Sequence, residues 1–274
     1  MLTVLAHDRD SAGMTYVYPV LSRRAGGVSL GINLNVNRAC NWACVYCQVE
    51  GLTRGGPEPV DLGLLEKELN VFLDESDAWL EQHAPPEHRR IVDIAFSGDG
   101  EPTSAAEFAQ AVGIVGKTLK ARGLTGRFPV RLITNGSLIQ RSAVQDGLRQ
   151  LAALSGEVWF KVDRGDEAEM LRANQTRMQR AQVQENLRRC AALVPTWLQT
   201  CWFAFAGQPP TAQDEAAYLA FIAETNAALR GICLYAPRRE PHLAPGVSCL
   251  PETDLRAWGE KIEQTTGLLV RVAV

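Results

Sequence analysis

The chain has 274 residues, 46% hydrophobic and 22% charged, with a net charge of -3. These proportions exclude a disordered chain, and no apolar run approaches the roughly 18 residues that cross a bilayer. A soluble, cytoplasmic protein with one domain over 1–274 is expected, because Met1 to Asp10 has neither the basic flank nor the apolar stretch of a secretory signal.

In chain order, Val28 to Val36 reads as a strand, with Ile32, Leu34 and Val36 alternating against Gly31, Asn33 and Asn35. A cysteine-bearing loop follows. Asp61 to His83 reads as a helix capped by Asp61 and ended by Pro85-Pro86, because Leu62, Leu65, Leu69 and Phe72 recur at helical spacing. The alternation then repeats. Strands are predicted at Ile91 to Phe96, Pro129 to Thr134 and Val158 to Val162, and helices at Ala105 to Ala121, Arg141 to Leu154 and Glu167 to Ala192. An apolar stretch Thr196 to Ala206, a helix Ala212 to Leu229, a strand Ile232 to Tyr235, a helix Glu252 to Thr265 and a strand Leu268 to Val272 complete the chain.

Six βα steps with a terminal strand imply a parallel sheet with right-handed crossovers, either an open doubly wound sheet or a full or partial barrel. Both architectures place chemistry at the carboxyl ends of the strands. The polar clusters fall there: the cysteine loop, then Ser97 to Pro102, then Asn135-Gly136-Ser137, then Asp163-Arg164-Gly165.

Cys40, Cys44 and Cys47 lie within eight residues. Three thiolates from one short loop suit a [4Fe-4S] cluster that keeps one iron free for a small molecule. Tyr46 would set an aromatic ring near that iron. A structural zinc site usually takes four ligands, and no fourth Cys or His lies nearby in sequence; buried reduced thiols are the plainer alternative. The four later cysteines, Cys190, Cys201, Cys233 and Cys249, have no Cys-x-x-Cys pair and read as core thiols, reduced in a chain without a secretory signal.

At the second strand end, Gly98 and Gly100 allow close approach of backbone to a ligand, and Glu101 offers a carboxylate for a cationic amino group; the alternative is a tight turn with acids at a helix start. Lys161 and Asp163 fall on one face, either as functional groups inside a barrel or as a plain salt bridge at its mouth. Four basic doublets read as solvated surface, although Arg23-Arg24 and Arg238-Arg239 are placed to reach an anionic substrate. His7, His83, His88 and His242 have no metal-ligand spacing.

With its cysteine triplet and the Gly100-Glu101-Pro102 turn, the chain resembles radical S-adenosylmethionine (SAM) enzymes. Tyr18 to Arg24, Ser29 to Asn33, Phe96 to Thr103, Ile133 to Leu138, Lys161 to Gly165 and Pro237 to Pro241 further resemble a group of iron-sulfur oxidoreductases related to the tRNA wyosine synthases. The resemblance implies a partial (β/α)6 TIM-like barrel holding a [4Fe-4S] cluster on Cys40, Cys44 and Cys47. Asp99, Gly100 and Glu101 would bind the methionine amino group of SAM, Thr134, Asn135 and Lys161 its carboxylate or ribose, with Asp163 beside them and Tyr46 near the adenine. Archaeal-type wyosine synthases carry further cysteines upstream, and this sequence has none before Cys40.

The expected activity is reductive cleavage of SAM to a 5′-deoxyadenosyl radical that acts on an RNA base, a small metabolite or a peptide. An external electron donor of flavodoxin or ferredoxin type would supply the electron. A reading from a different class is a non-catalytic iron-sulfur electron carrier or a zinc-binding module. The net charge gives no general attraction to phosphate backbones, which leaves tRNA binding open.

Overall fold

The computed structural model describes residues 2–3, 11–225, 227–237, 241–244 and 246–273. Eight strands form one curled sheet: β1 (Val17–Ser22), β2 (Gly27–Ile32), β3 (Ile91–Phe96), β4 (Val130–Thr134), β5 (Glu157–Lys161), β6 (Thr196–Cys201), β7 (Leu229–Tyr235) and β8 (Val270–Ala273), joined in that spatial order. All neighbours run parallel except β1, which is antiparallel to β2. The helices are α1 (Leu62–His83), α2 (Phe108–Ala121), α3 (Ser142–Ala153), α4 (Glu167–Asn174), α5 (Arg180–Leu193), α6 (Ala212–Thr225) and α7 (Glu252–Thr266). The result is a partial (β/α)6 TIM-like barrel with a terminal strand, as the alternation of elements predicts.

Side chains alternate along each strand, so one set faces the helices and the other the hollow of the half-barrel. Ile94, Phe96, Val130, Leu132, Val158, Phe160, Leu198, Ile232 and Leu234 belong to one buried apolar cluster with Leu65, Phe72, Phe108, Val115, Leu148 and Leu187 from the helices. Each such side chain contributes about 1.5–3 kcal/mol when fully buried. The opposite set mixes an apolar cluster of Trp159, Trp197, Cys233 and Ile133 with polar side chains, several of which pair toward the amino ends of the strands. Arg131 pairs there with Asp93 and with Glu157 at 2.6 Å, and Trp159 and Trp197 each donate an indole N–H to Glu157 at 3.1 Å. The cavity in the hollow is also lined by the segments that follow the carboxyl ends of the strands, among them Cys40, Ser97, Asp99 and Asn135.

Several elements depart from the sequence reading. The first expected strand stops at Ile32, because Asn33 and Asn35 leave the ladder to make side-chain hydrogen bonds at the strand end. β1 lies in the lead-in, where no element is predicted. Its place follows from Glu68, a buried residue of α1 whose carboxylate accepts the backbone N–H groups of Thr15, Tyr16 and Val17 at 2.8, 2.7 and 3.3 Å.

The expected helix Glu167 to Ala192 is two helices, separated where Gln175 adopts a left-handed φ of 53°. The helix expected to reach Leu229 stops at Thr225, and β7 takes up Leu229. Thr196 to Ala206 divides into β6 and a two-residue strand, Ala204–Phe205, which pairs with Val247–Ser248. Cys190, Cys201 and Cys233 are core thiols, as expected, but Cys249 is exposed, just after the short strand Val247–Ser248. His7 and the doublet Arg238-Arg239 lie outside the described residues.

Replacing Glu68 with Ala strands three backbone donors, two of them buried. Urea unfolding of Glu68→Ala should show a loss on the order of 3 kcal/mol, with faster amide exchange at Thr15, Tyr16 and Val17 than in the wild type.

Candidate active site

The cysteine loop is held from four directions. Ala39–Cys40 pairs with Thr53–Arg54, the carbonyl of Cys40 accepts the N–H of Gly55 at 3.0 Å, and that of Cys47 accepts the N–H of His242 at 3.1 Å. Val45 donates its N–H to the carbonyl of Ala173 at 2.9 Å. Asn41 accepts from the side chain of Asn135 at 2.8 Å and donates to Ser137 Oγ at 2.7 Å, which ties the loop to the third strand end. Cys40, Cys44 and Cys47 are all partly exposed and open on one cavity of about 560 Å³. Among the described residues no three His, Cys, Asp or Glu side chains gather closely enough to hold a single ion. Burial pushes the Cys40 thiol up to about 12 and raises that of Cys44 as well, so the surrounding protein disfavours bare thiolates.

At the second strand end, Asp99 lies on the cavity wall with one carboxylate oxygen accepting from Asn33 Nδ2 at 2.9 Å. Glu101 is only 2% exposed, and its carboxylate accepts Thr103 N–H and O–H, Thr134 O–H and Asn135 N–H, at 3.1, 2.6, 2.6 and 2.6 Å. Burial raises its pKa, against those four hydrogen bonds. Most of its accepting capacity is spent on the protein, so Glu101 serves here to hold the third strand end. Thr134 does not line the cavity; its hydroxyl links Glu101 to the N–H of Gly136. Asn135 does line it.

Both glycines of this turn are required by close approach. A Cβ on Gly98, whose φ is 146°, would meet Asn33 Oδ1 at 2.4 Å, and one on Gly100 would meet the carbonyl of Ala39 at 2.3 Å.

At the fourth strand end, Lys161 lines the cavity with its ammonium 4.7 Å from the centre of the Tyr46 ring. Burial works against that charge, but Tyr235 and Asp163 favour it and the pKa is held above the ordinary lysine value. Asp163 makes no ion pair with Lys161 and does not line the cavity. It accepts from the Tyr46 hydroxyl, from Asn174 Nδ2 at 2.6 Å and from the N–H of Cys201 at 2.7 Å. Of the residues singled out from sequence, the structure brings Cys40, Cys44, Cys47, Tyr46, Asp99, Gly100, Glu101, Asn135 and Lys161 to one cavity, and puts Thr134 and Asp163 behind its wall.

Asn33, Asn41 and Asn174 are site residues the sequence reading did not assign. Asn33 and Asn41 stand next to recognised motifs, which was a usable signal. Asn174 sits inside an apparently continuous helix and carried none.

The Gly100 contact is backbone against backbone, so the two segments must separate if a methyl group is added. Gly100→Ala should lower stability by about 1–3 kcal/mol, read by thermal unfolding, and should raise the protease sensitivity of the 40–47 loop. An unchanged melting curve would show that the two strand ends are not in contact.

The sequence matches no family model. It is 32% identical over 149 residues to UPF0026 protein MJ1312 of Methanocaldococcus jannaschii, covering 54% of this chain and 40% of that protein. It is 28% identical over 130 residues to GTPase Obg of Brachyspira hyodysenteriae, covering 47% of this chain and 17% of that protein. The chain thus spans less than half the length of either relative.

Among solved structures, the chain is similar to a radical SAM methyltransferase from Sphaerobacter thermophilus (TM-score 0.62, 13% identity, 90% of this chain and 66% of that one). It is also similar to Streptococcus suis SuiB bound to S-adenosylmethionine (0.61, 10%, 92% and 52%). Archaeal TYW1 aligns at 0.51 with 11% identity, over 95% of this chain and 77% of that one. At these identities the likeness is one of architecture: the chain has the half-barrel fold of the radical SAM enzymes.

Proposed function

We propose that the chain is a radical SAM enzyme in which Cys40, Cys44 and Cys47 hold a [4Fe-4S] cluster and S-adenosylmethionine binds beside it. The observation that carries this reading is the opening of all three thiols on a cavity whose wall also bears Asp99 and Lys161. The donor set fits the cluster: three thiols from one short loop line one cavity, the number that leaves the fourth iron of a [4Fe-4S] cube open to a ligand. When bound, the cluster would supply one electron, received from an external donor, and S-adenosylmethionine a sulfonium open to reductive cleavage, the chemistry of enzymes that act through a 5′-deoxyadenosyl radical.

The chain's own residues then orient and enclose. Asp99 presents a carboxylate to an ammonium group, and Lys161, steadied over Tyr46, presents an ammonium to a carboxylate, which are the two charges of a methionine moiety. Glu101 and Thr134 act at one remove by holding Asn135, and Asp163 and Asn174 by holding Tyr46 and Cys44; the side-chain amide of Asn174 lies 3.4 Å from Cys44 Sγ. At the inner end Arg131, paired with Asp93 and Glu157, lines the cavity with a fixed charge network. On the outer side of the cysteine loop, exposed Arg54 and Arg177 stand beside Asn41 and Trp42, a positive surface that suits an acidic electron donor of flavodoxin or ferredoxin type.

Anaerobic reconstitution with iron and sulfide, then dithionite and SAM, should give a visible cluster chromophore and equal amounts of methionine and 5′-deoxyadenosine. Cys44→Ser should abolish both. Zinc without a chromophore, or a cluster whose spectrum ignores SAM, would overturn the reading in favour of a binding module or an electron carrier respectively. Asp99→Asn should weaken SAM binding about tenfold in equilibrium titrations, the loss expected for one charge-assisted hydrogen bond.

A further inference from the structure

Gln199 has no role in the mechanism above, yet it is the least comfortable side chain in the hollow. It is 0% exposed, it lines the cavity, and neither its Nε2 nor its Oε1 has a hydrogen-bond partner among the described residues. Leaving buried polar atoms unpaired costs about 1–3 kcal/mol each, so an amide kept unpaired on both atoms points to a partner that arrives with a ligand. Because donor and acceptor are both free, the conclusion does not depend on which way the amide is turned.

The surroundings narrow the chemistry. Gln199 on β6 is in register with Lys161 on β5 and Cys233 on β7, and Tyr235 follows two residues later on the same face of β7. Over the Tyr235 ring, 4.8 Å from its centre, lies the guanidinium of Arg24, which comes from the turn between β1 and β2 and also lines the cavity. Among the described residues Arg24 makes no ion pair. A planar amide pairs best with an edge that offers a complementary acceptor and donor side by side, and a free guanidinium pairs best with a carboxylate or phosphate. The flat faces of Trp159 and Tyr235 stand on the same walls.

We propose that Gln199, Arg24 and Tyr235 form the substrate subsite, and that it takes a small anionic molecule carrying an amide or lactam edge: the edge on Gln199, the carboxylate or phosphate on Arg24. The assignment of this ligand as substrate rests on the radical SAM reading; the binding site itself does not.

The test uses the reconstituted protein with SAM, probed by calorimetry and thermal unfolding. Uridine 5′-monophosphate and guanosine 5′-monophosphate present a lactam edge with a phosphate, and glycyl-L-asparagine a primary amide with a carboxylate. Ribose 5-phosphate and inorganic phosphate present the anion alone. At least one of the first three should bind saturably, and better than ribose 5-phosphate; which one distinguishes a nucleobase from an amide source. Gln199→Met should weaken that binding at least tenfold while raising the melting temperature of the ligand-free protein, since it removes an unpaired buried amide. Arg24→Met should weaken the same ligand.

The inference is overturned if Gln199→Met lowers the ligand-free melting temperature, which would mean the amide is satisfied internally or by water. It is also overturned if no probe binds better than ribose 5-phosphate, or if the variant binds the probe as the wild type does. A wild type that fails to cleave SAM sinks the earlier reading alone; one that cleaves SAM but shows no Gln199-dependent binding sinks this inference alone.

Discussion

A carboxylate taken out of water costs several kcal/mol unless its oxygens are filled, and two such groups, Glu101 and Asp163, set the geometry on which the rest of the site depends. Glu101 fills its oxygens with Thr103, Thr134 and Asn135, which joins the second strand end to the third. Asp163 fills its own with Tyr46, Asn174 and Cys201, which joins the fourth strand end to the cysteine loop and to β6. Neither group can leave its partners without stranding a buried charge. The cavity wall is therefore fixed before any ligand arrives, as positioned chemistry requires.

The broken helix has the same logic. The left-handed turn at Gln175 frees backbone that continuous helix would have used internally. The carbonyl of Ala173 then takes the N–H of Val45, and that of Gln175 takes the Arg54 side chain at 2.5 Å. Asn174, next to the break, reaches Asp163 and Cys44. A helical turn given up in a crossover thus supplies three anchors to the cysteine loop.

The hollow divides by depth. At the floor, toward the amino ends of the strands, Arg131 pairs with Asp93 and Glu157 and two indoles donate to Glu157; of these groups Asp93 Oδ1 alone has no hydrogen-bond partner among the described residues. The mouth is lined by thiols and by charges of both signs. Between floor and mouth stand Gln199, whose amide has no hydrogen-bond partner among the described residues, and Arg24, which makes no ion pair among them, and the proposed subsite lies at this level.

The sequence by itself determined the order of strands and helices, the position of the thiols at the first strand end, and the convergence of Asp99, Gly100, Glu101, Asn135 and Lys161. Each of these follows from local periodicity and from the rule that parallel strands present their carboxyl ends together. Tertiary structure alone decided which carboxylates serve as internal anchors: Glu101 and Asp163 look available in sequence, but both are buried and take internal donors. Position β1, the interruption at Gln175 and the exposure of Gln199 to the hollow were equally hidden, because each depends on a partner distant in the chain: Glu68 for the first, the cysteine loop for the second, and the curl of the whole sheet for the third.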